Sequence, residues 1–384
     1  MRLVVENFGP VVKADVEILP FTVFIGKNNT GKSTLSQLVY LLRRVFTDDL
    51  PIAIFCTVAK TVERKSAKEA LAHLTEVDVA ELSKCINFRK TLERFFGVEL
   101  RKLINIHADY AVVEWHDENV DLRLRIEKDK VEVEELKPTE ELIRRMATDV
   151  LAMVATIVSM GTHLHARSNF YIPGGRAGLL DSYRMWQRSY MQLVPAVVGE
   201  FYDILDALEG HAGPLADVAK LFLDVIEGDV AIEWPSKFVY RRNGLEVDLR
   251  HAASLVKELA PLYLIVRELV KSGDFMAVEE PEAHLHPEAQ VRLVDVFARL
   301  VEAGVTMLVT TQSETFLWRL SHLLQGPLRD KAKVYLFKWG EEGSVVEPAD
   351  ITRGVPTFDE VFQMLYRESI KLAYRRKRRK NSDK

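Results

Sequence analysis

Gly26-Lys-Asn-Asn-Thr-Gly-Lys-Ser33 lies between an apolar run, Phe21 to Ile25, and a segment, Ser33 to Val45, in which Leu35, Leu38, Val39, Leu41 and Leu42 recur at helical spacing. A strand, a glycine loop and a helix in that order give the pattern GxxxxGK[ST] its physical meaning. The glycines let backbone N–H groups curl around phosphate oxygens, and the amino end of the following helix favours negative charge. Gly26, Lys27, Asn28, Asn29, Thr30 and Gly31 form the cradle, Lys32 reaches the β and γ phosphates, and Ser33 offers a hydroxyl to Mg²⁺. Thr34 falls close to the α phosphate. The expected ligands are ATP and Mg²⁺.

A phosphate loop hydrolyses nothing alone, because it needs an acid near the metal and a way to polarise water. Phe275-Met-Ala-Val278 reads as a buried strand and ends in Glu279-Glu280, so two carboxylates emerge together at the carboxyl edge of a sheet, where α/β proteins bind ligands. Glu279 is the expected carboxylate on the Mg²⁺ side and Glu280 the expected general base.

Outward from these two anchors, the chain opens with strands at Leu3 to Val5 and Val12 to Ile18, with turns at Asn7-Phe-Gly-Pro10 and Pro20. The last third alternates: helix Ser254 to Lys271, strand Phe275 to Glu279, helix Pro287 to Glu302, strand Thr306 to Thr310, helix Glu314 to Leu324, strand Lys333 to Phe337. Alternation of this kind predicts an α/β fold, a largely parallel, mixed sheet flanked by helices. Residues 1–47 and 169–350 are read as the two parts of one head. Residues 48–168 are read as a mainly helical insertion with a small β patch, Val112 to Trp115, Val120 to Ile126 and Val131 to Val133, and a long helix over Glu140 to Met160. Short strands follow at Asn169 to Ile172, Val230 to Trp234, Phe238 to Arg241 and Leu245 to Leu249. Residues 351–384 form a C-terminal helix, opened by the capping box Thr357-Phe-Asp-Glu360 and expected to pack on the head, and a basic tail.

With 384 residues, 48% hydrophobic and 28% charged, the chain has the profile of a soluble globular protein with ample core. Its two cysteines make neither a disulfide framework nor a zinc site, and the N-terminus meets charge too early for a signal peptide. A cytoplasmic location is the expectation, with no integral membrane segment, since stretches such as Val150 to Met160 are too short to span a bilayer. A net charge of −4 argues against a general nucleic-acid binder, apart from Arg375-Arg-Lys-Arg-Arg-Lys380 at the end.

The block Val278-Glu-Glu-Pro-Glu-Ala-His-Leu-His-Pro287, with Asn7-Phe-Gly-Pro10 and the loop at Gly26 to Ser33, resembles the P-loop NTPase heads of ABC type found in the RecF, SMC and OLD class of AAA-family ATPases. The resemblance covers the two ends of the chain, without a TOPRIM domain or a long coiled coil. It implies an ATP-dependent homodimer, joined head to tail around two nucleotides and released by hydrolysis. It places Ser254 at the signature step that reaches the partner's γ phosphate, with Leu255 where relatives carry glycine. An ordinary N-capped helix reads equally well there. Gln312 stands where relatives place the switch histidine; it can orient a water but cannot shuttle a proton, so slow turnover is expected. The segment Tyr171-Ile-Pro-Gly-Gly-Arg-Ala-Gly178 resembles the IPxxRxG stretch of OLD-like ATPases, with Arg176 either approaching the nucleotide or the dimer interface or serving as a structural arginine. His284 and His286 belong to the family's dimer-facing loop rather than to a metal site. Heads of this kind act on something else, so the resemblance implies either work on DNA or with a nuclease in repair or anti-phage defence, or a regulatory switch controlling a protein effector without DNA.

Overall fold

A computed structural model of the chain describes residues 1–49, 86–139, 168–189, 195–233, 237–354 and 364–372. Its strands are β1 (Arg2–Phe8), β2 (Val11–Glu17), β3 (Phe21–Gly26), β4 (Ala111–His116), β5 (Val120–Ile126), β6 (Val131–Pro138) and β7 (Asn169–Ile172). They continue with β8 (Asp229–Glu233), β9 (Lys237–Arg242), β10 (Leu245–Asp248), β11 (Phe275–Glu279), β12 (Thr306–Thr311), β13 (Ala332–Trp339) and β14 (Ser344–Pro348). The helices are α1 (Lys32–Arg44), α2 (Phe88–Phe96), α3 (Arg176–Ser189), α4 (Ala196–Asp206), α5 (Ala216–Ala219), α6 (Leu221–Ile226), α7 (Ser254–Glu268), α8 (Pro287–Glu302) and α9 (Glu314–Leu324).

One mixed sheet runs in the order β6-β5-β4-β1-β2-β14-β13-β3-β12-β11-β7, and β10-β9-β8 form a small separate sheet. From β7 to β13 every neighbouring pair is parallel. Those strands read as near-continuous apolar runs because both their faces are covered. In β3, Phe21, Val23 and Ile25 turn into a core with α7, α8 and α9, whereas Phe24 joins Leu35, Leu38 and Leu42 of α1 on the opposite face. β3 is thus clamped between β13 and β12, strands from the last third of the chain, within the largely parallel, helix-flanked sheet that the alternating pattern predicts.

Three features differ from the sequence reading. The β patch of the expected insertion is no separate unit, since β4 pairs antiparallel with β1 along Arg2↔His116 to Glu6↔Val112 and extends the head's own sheet through β5 and β6. Alternation shows that a segment is a strand; it does not name the neighbour that will complete its hydrogen bonds. The chain also makes β14, a short strand ending in Pro348 that pairs β13 to β2 and so fuses the parallel block to the antiparallel one. Finally, helix 364–372 is exposed at every residue, including Met364, Leu365, Tyr366, Ile370 and Leu372, and is not packed on the head. The capping box at Thr357 to Glu360, the helix expected over Glu140 to Met160 and the basic tail lie outside the described residues. Among the described residues no helix is long and apolar enough to cross a membrane.

Candidate nucleotide site

The register aligns the strand tips that matter. Glu279 lies level with Thr310 on β12, Thr311 with Ile25 on β3, and Gly26 with Phe337 on β13. Because β12 alone separates β11 from β3, the acidic tip emerges two strand spacings, about 10 Å, from the strand that launches the glycine loop. Residues far apart in sequence therefore share one edge.

At that edge the loop is held tightly from the side of β13 and β2. A Cβ on Gly26, at φ +145°, would lie 2.6 Å from the Phe337 carbonyl oxygen, and one on Gly31, at φ +90°, would lie 2.8 Å from Cγ of Pro10. Neither position admits a side chain. Lys27, Asn28, Asn29 and Ser33 are exposed, Gly26, Thr30 and Gly31 are buried, and Thr34 is half-buried. Lys32 is buried, and its ammonium donates to the carbonyl oxygens of Gly26 at 2.9 Å and Lys27 at 2.8 Å. Burial lowers its pKa, while the carboxylates of Glu280 and Glu282 act to raise it. The charge on Lys32 thus lies within electrostatic reach of the acidic tip.

Each carboxylate of that tip has its own seat. Glu279 shares the parity of Phe275 and Ala277, on the α1 face, where it accepts from the Tyr171 hydroxyl and, at 3.2 Å, from the Gly174 N–H. Burial and the charge of Glu279 push the Tyr171 phenol well above its ordinary pKa, so it remains a donor. Glu280 stands at φ 39°, a left-handed conformation that costs a non-glycine residue on the order of 1–3 kcal/mol. Its N–H donates to Thr310 O at 2.9 Å, and its carboxylate accepts from Gln312 Nε2 at 2.6 Å. Gln312 is in turn fixed by Glu282, whose Oε1 accepts from the Gln312 N–H at 2.9 Å and the Thr311 hydroxyl at 2.7 Å. Burial raises the Glu282 carboxyl. In the sequence Glu282 is one more residue of the loop after the acidic tip, and only the return of β12 beside β11 reveals that it seats Gln312.

Arg176 does not face the loop. It is wholly buried, and its guanidinium donates to the carbonyl oxygens of Glu258 at 2.9 Å, Pro173 at 2.9 Å, Glu279 at 2.7 Å and Glu280 at 3.1 Å, beside the buried Glu258 carboxylate at 3.1 Å. The structural alternative is the one realised, and the placing of Arg176 against nucleotide or dimer interface is corrected. Arg176 shapes the backbone on which Glu279 and Glu280 stand and ties it to α7. Ser254 opens α7 as an exposed residue, but Ala253 is the N-cap and no side chain caps this end. Leu255 is half-buried against the helical core, so its side chain turns inward. His286 caps α8 by accepting from Glu288 N at 3.4 Å, and the His284 imidazole is exposed.

Among the described residues no three or more His, Cys, Asp or Glu gather into a metal cage. Mg²⁺ bound with a triphosphate asks for only one or two side chains, the rest of its shell coming from phosphate and water. The exposed Ser33 hydroxyl and the Glu279 carboxylate, each of whose oxygens keeps a free lone pair, fit that demand.

A glycine loop on β3 beside strand-borne carboxylates is the arrangement of a P-loop nucleotide-binding protein. Residues 121–317, just over half of the chain, match the family described as "AAA domain, putative AbiEii toxin, Type IV TA system", and the chain belongs to that family. The match takes in the acidic tip and Gln312 and begins after the glycine loop. No curated protein matches. Among solved structures the chain is similar to an SMC head bound to the C-winged helix domain of ScpA, at 11% identity and TM-score 0.48 over 92% of this chain and 98% of that one. It is also similar to the SMC head domain from Thermotoga maritima, at 10% identity and TM-score 0.43 over 91% of this chain and 98% of that one. A third is an SMC head with an extended coiled coil bound to the C-terminal domain of ScpA, derived from Pyrococcus furiosus, at 12% identity and TM-score 0.45 over 96% and 98%. Likeness at that level says nothing of what this chain binds.

Proposed function

We propose that this chain binds ATP with Mg²⁺ in the loop from Gly26 to Thr34 and hydrolyses it slowly. The observation that carries the reading is the Gln312–Glu280 hydrogen bond of 2.6 Å at the sheet edge that also holds Lys32. A general base needs to be oriented before its pKa matters. Glu280 is oriented twice, through its amide by Thr310 and through its carboxylate by Gln312. Both are fit to hold a water in line with a γ phosphate, Glu280 by accepting its proton and Gln312 by fixing its direction. Lys32, now spending its donors on loop carbonyls, exchanges them for phosphate oxygens and gains a partner for a charge that burial disfavours. Ser33 and Glu279 would hold Mg²⁺, which would supply positive charge to stabilise the developing phosphate oxygens. No side chain at the Gln312 position relays a proton, which supports slow turnover.

The same reading includes an ATP-dependent homodimer, with Ser254 and the His284 loop on the joining face. The inward turn of Leu255 supports it, since that side chain does not stand between Ser254 and a partner. As for the work done, regulation of a protein effector is favoured over DNA binding. The family's description names a toxin–antitoxin system, and the net charge of −4 gives the chain no overall basic excess. Repair or anti-phage defence through DNA or a nuclease remains the second reading, and gel shifts at low salt with and without Arg375 to Lys384 separate the two. For the dimer, size exclusion with light scattering on Glu280→Gln under saturating ATP is expected to give twice the monomer mass. A monomer there removes the dimer and leaves the ATP site standing.

A further inference from the structure

The direction in which a nucleotide lies in this site follows from the strand order. Glu280 and Gln312, the groups assigned to the γ phosphate, stand just past the ends of β11 and β12, to one side of β3. Thr34, assigned to the α phosphate, faces the other way: a Cβ on Gly9, in the β1–β2 turn, would lie 3.5 Å from Thr34 Cγ2. The base must therefore leave the loop on the side of β13, β14 and β2.

A large exposed aromatic stands there. Trp339 ends β13 two residues beyond Phe337, which is level with Gly26, and so projects past the point where β3 stops and the glycine loop begins. Tyr335 and Phe337 pack with Phe24 on the α1 face, and Trp339 has the same parity. Across the sheet Trp339 pairs with Ser344, whose N–H donates to Pro10 O at 2.7 Å, and Pro10 is the residue that backs Gly31. Its indole is 61% exposed, and it makes no ring stacking or cation–π contact among the described residues. Ile106, 91% exposed, follows Asn105, whose side chain donates to Glu342 O at 3.1 Å in the turn that Trp339 begins. Single exposed hydrophobic residues need no explanation. Here, outside helix 364–372, two of the four large ones flank a single turn at the base side of the loop.

We propose that Trp339, at the turn that Asn105 braces, is the platform on which the nucleobase stacks, and that this site takes purine nucleoside triphosphates in preference to pyrimidine ones. The proposal rests on the reading of the glycine loop as a triphosphate site. Stacking is governed by the area of the π face, so adenine and guanine bind alike and cytosine and uracil bind more weakly.

The test is titration calorimetry of ATP, GTP, CTP and inorganic tripolyphosphate on the whole chain, its Trp339→Phe variant and its Trp339→Ala variant. Because Trp339 is exposed, both variants are expected to keep the fold, which circular dichroism checks. The expected result is a rise in the ATP Kd of roughly five- to hundredfold in Trp339→Ala, partial restoration in Trp339→Phe, and loss of the purine preference. Tripolyphosphate, which has no base, binds all three alike. An ATP Kd unmoved by Trp339→Ala, with tripolyphosphate still bound, overturns the platform and spares the phosphate site. Failure of the parent chain to bind either ATP or tripolyphosphate overturns both.

Discussion

At the scale of single residues, the acidic tip depends on side chains that never reach the loop. Arg176 and Glu258 are both fully buried, and removing one member of such a pair leaves the other as an unpaired buried charge. Arg176→Met is therefore expected to cost about 3–5 kcal/mol of stability in chemical denaturation, whereas a surface arginine would cost less than about 1. Glu282 gives a pH dependence with a definite sign. Burial raises its carboxyl above the ordinary 4.5, so the folded chain holds the proton more tightly than the unfolded one. Its contribution to stability is full below about 4.5 and is lost as the pH climbs through the raised value. Glu282→Gln stays neutral and lacks that slope, so its melting temperature should gain on the parent's as pH rises from about 4 to about 8. Parallel curves would mean that folding does not shift the Glu282 carboxyl. These two residues also mark the limit of reading by sequence. Phe275-Met-Ala-Val278 announces Glu279 and Glu280 because an all-apolar run before two acids has few other meanings. An arginine after Pro173-Gly-Gly looks the same whether it turns toward a ligand or toward four carbonyl oxygens.

At the scale of elements, the strands and helices around the site were legible because their patterns are local. Strand Phe275–Glu279 and helices Pro287–Glu302 and Glu314–Leu324 follow the expected bounds residue for residue. Pairing partners were not legible, since β4 could as well have closed a sheet of its own. Nor was the setting of the last helix, whose amphipathic stripe gives a face but not what covers it. Helix 364–372 buries nothing against the head, so a chain ending at Gln363 is expected to melt within about 1 °C of the full chain by scanning calorimetry, as surface changes contribute within about 0.5 kcal/mol. A drop of many degrees would show that this segment packs after all.

At the scale of the whole molecule, the fold solves one problem: it brings β3 between strands from the last third of the chain, so that a loop at Gly26 and a tip at Glu279 share an edge. Because β3 is flanked on both sides by late strands, the glycine loop cannot form its setting until the C-terminal part has folded. The site is thus a property of the complete sheet rather than of either end. The sequence pattern pointed to this only through motif logic, since a phosphate loop implies a distant acid, and it is the parallel register that brings the two together.

Single-turnover hydrolysis combined with equilibrium ATP binding, on Lys32→Ala and Glu280→Gln, tests that claim most directly. Glu280→Gln is expected to bind ATP as tightly as the parent while cleaving it at least 10²-fold more slowly, the typical contribution of a general base. Lys32→Ala is expected not to bind. Hydrolysis by Glu280→Gln at the parental rate, or ATP held undiminished by Lys32→Ala, would contradict the account.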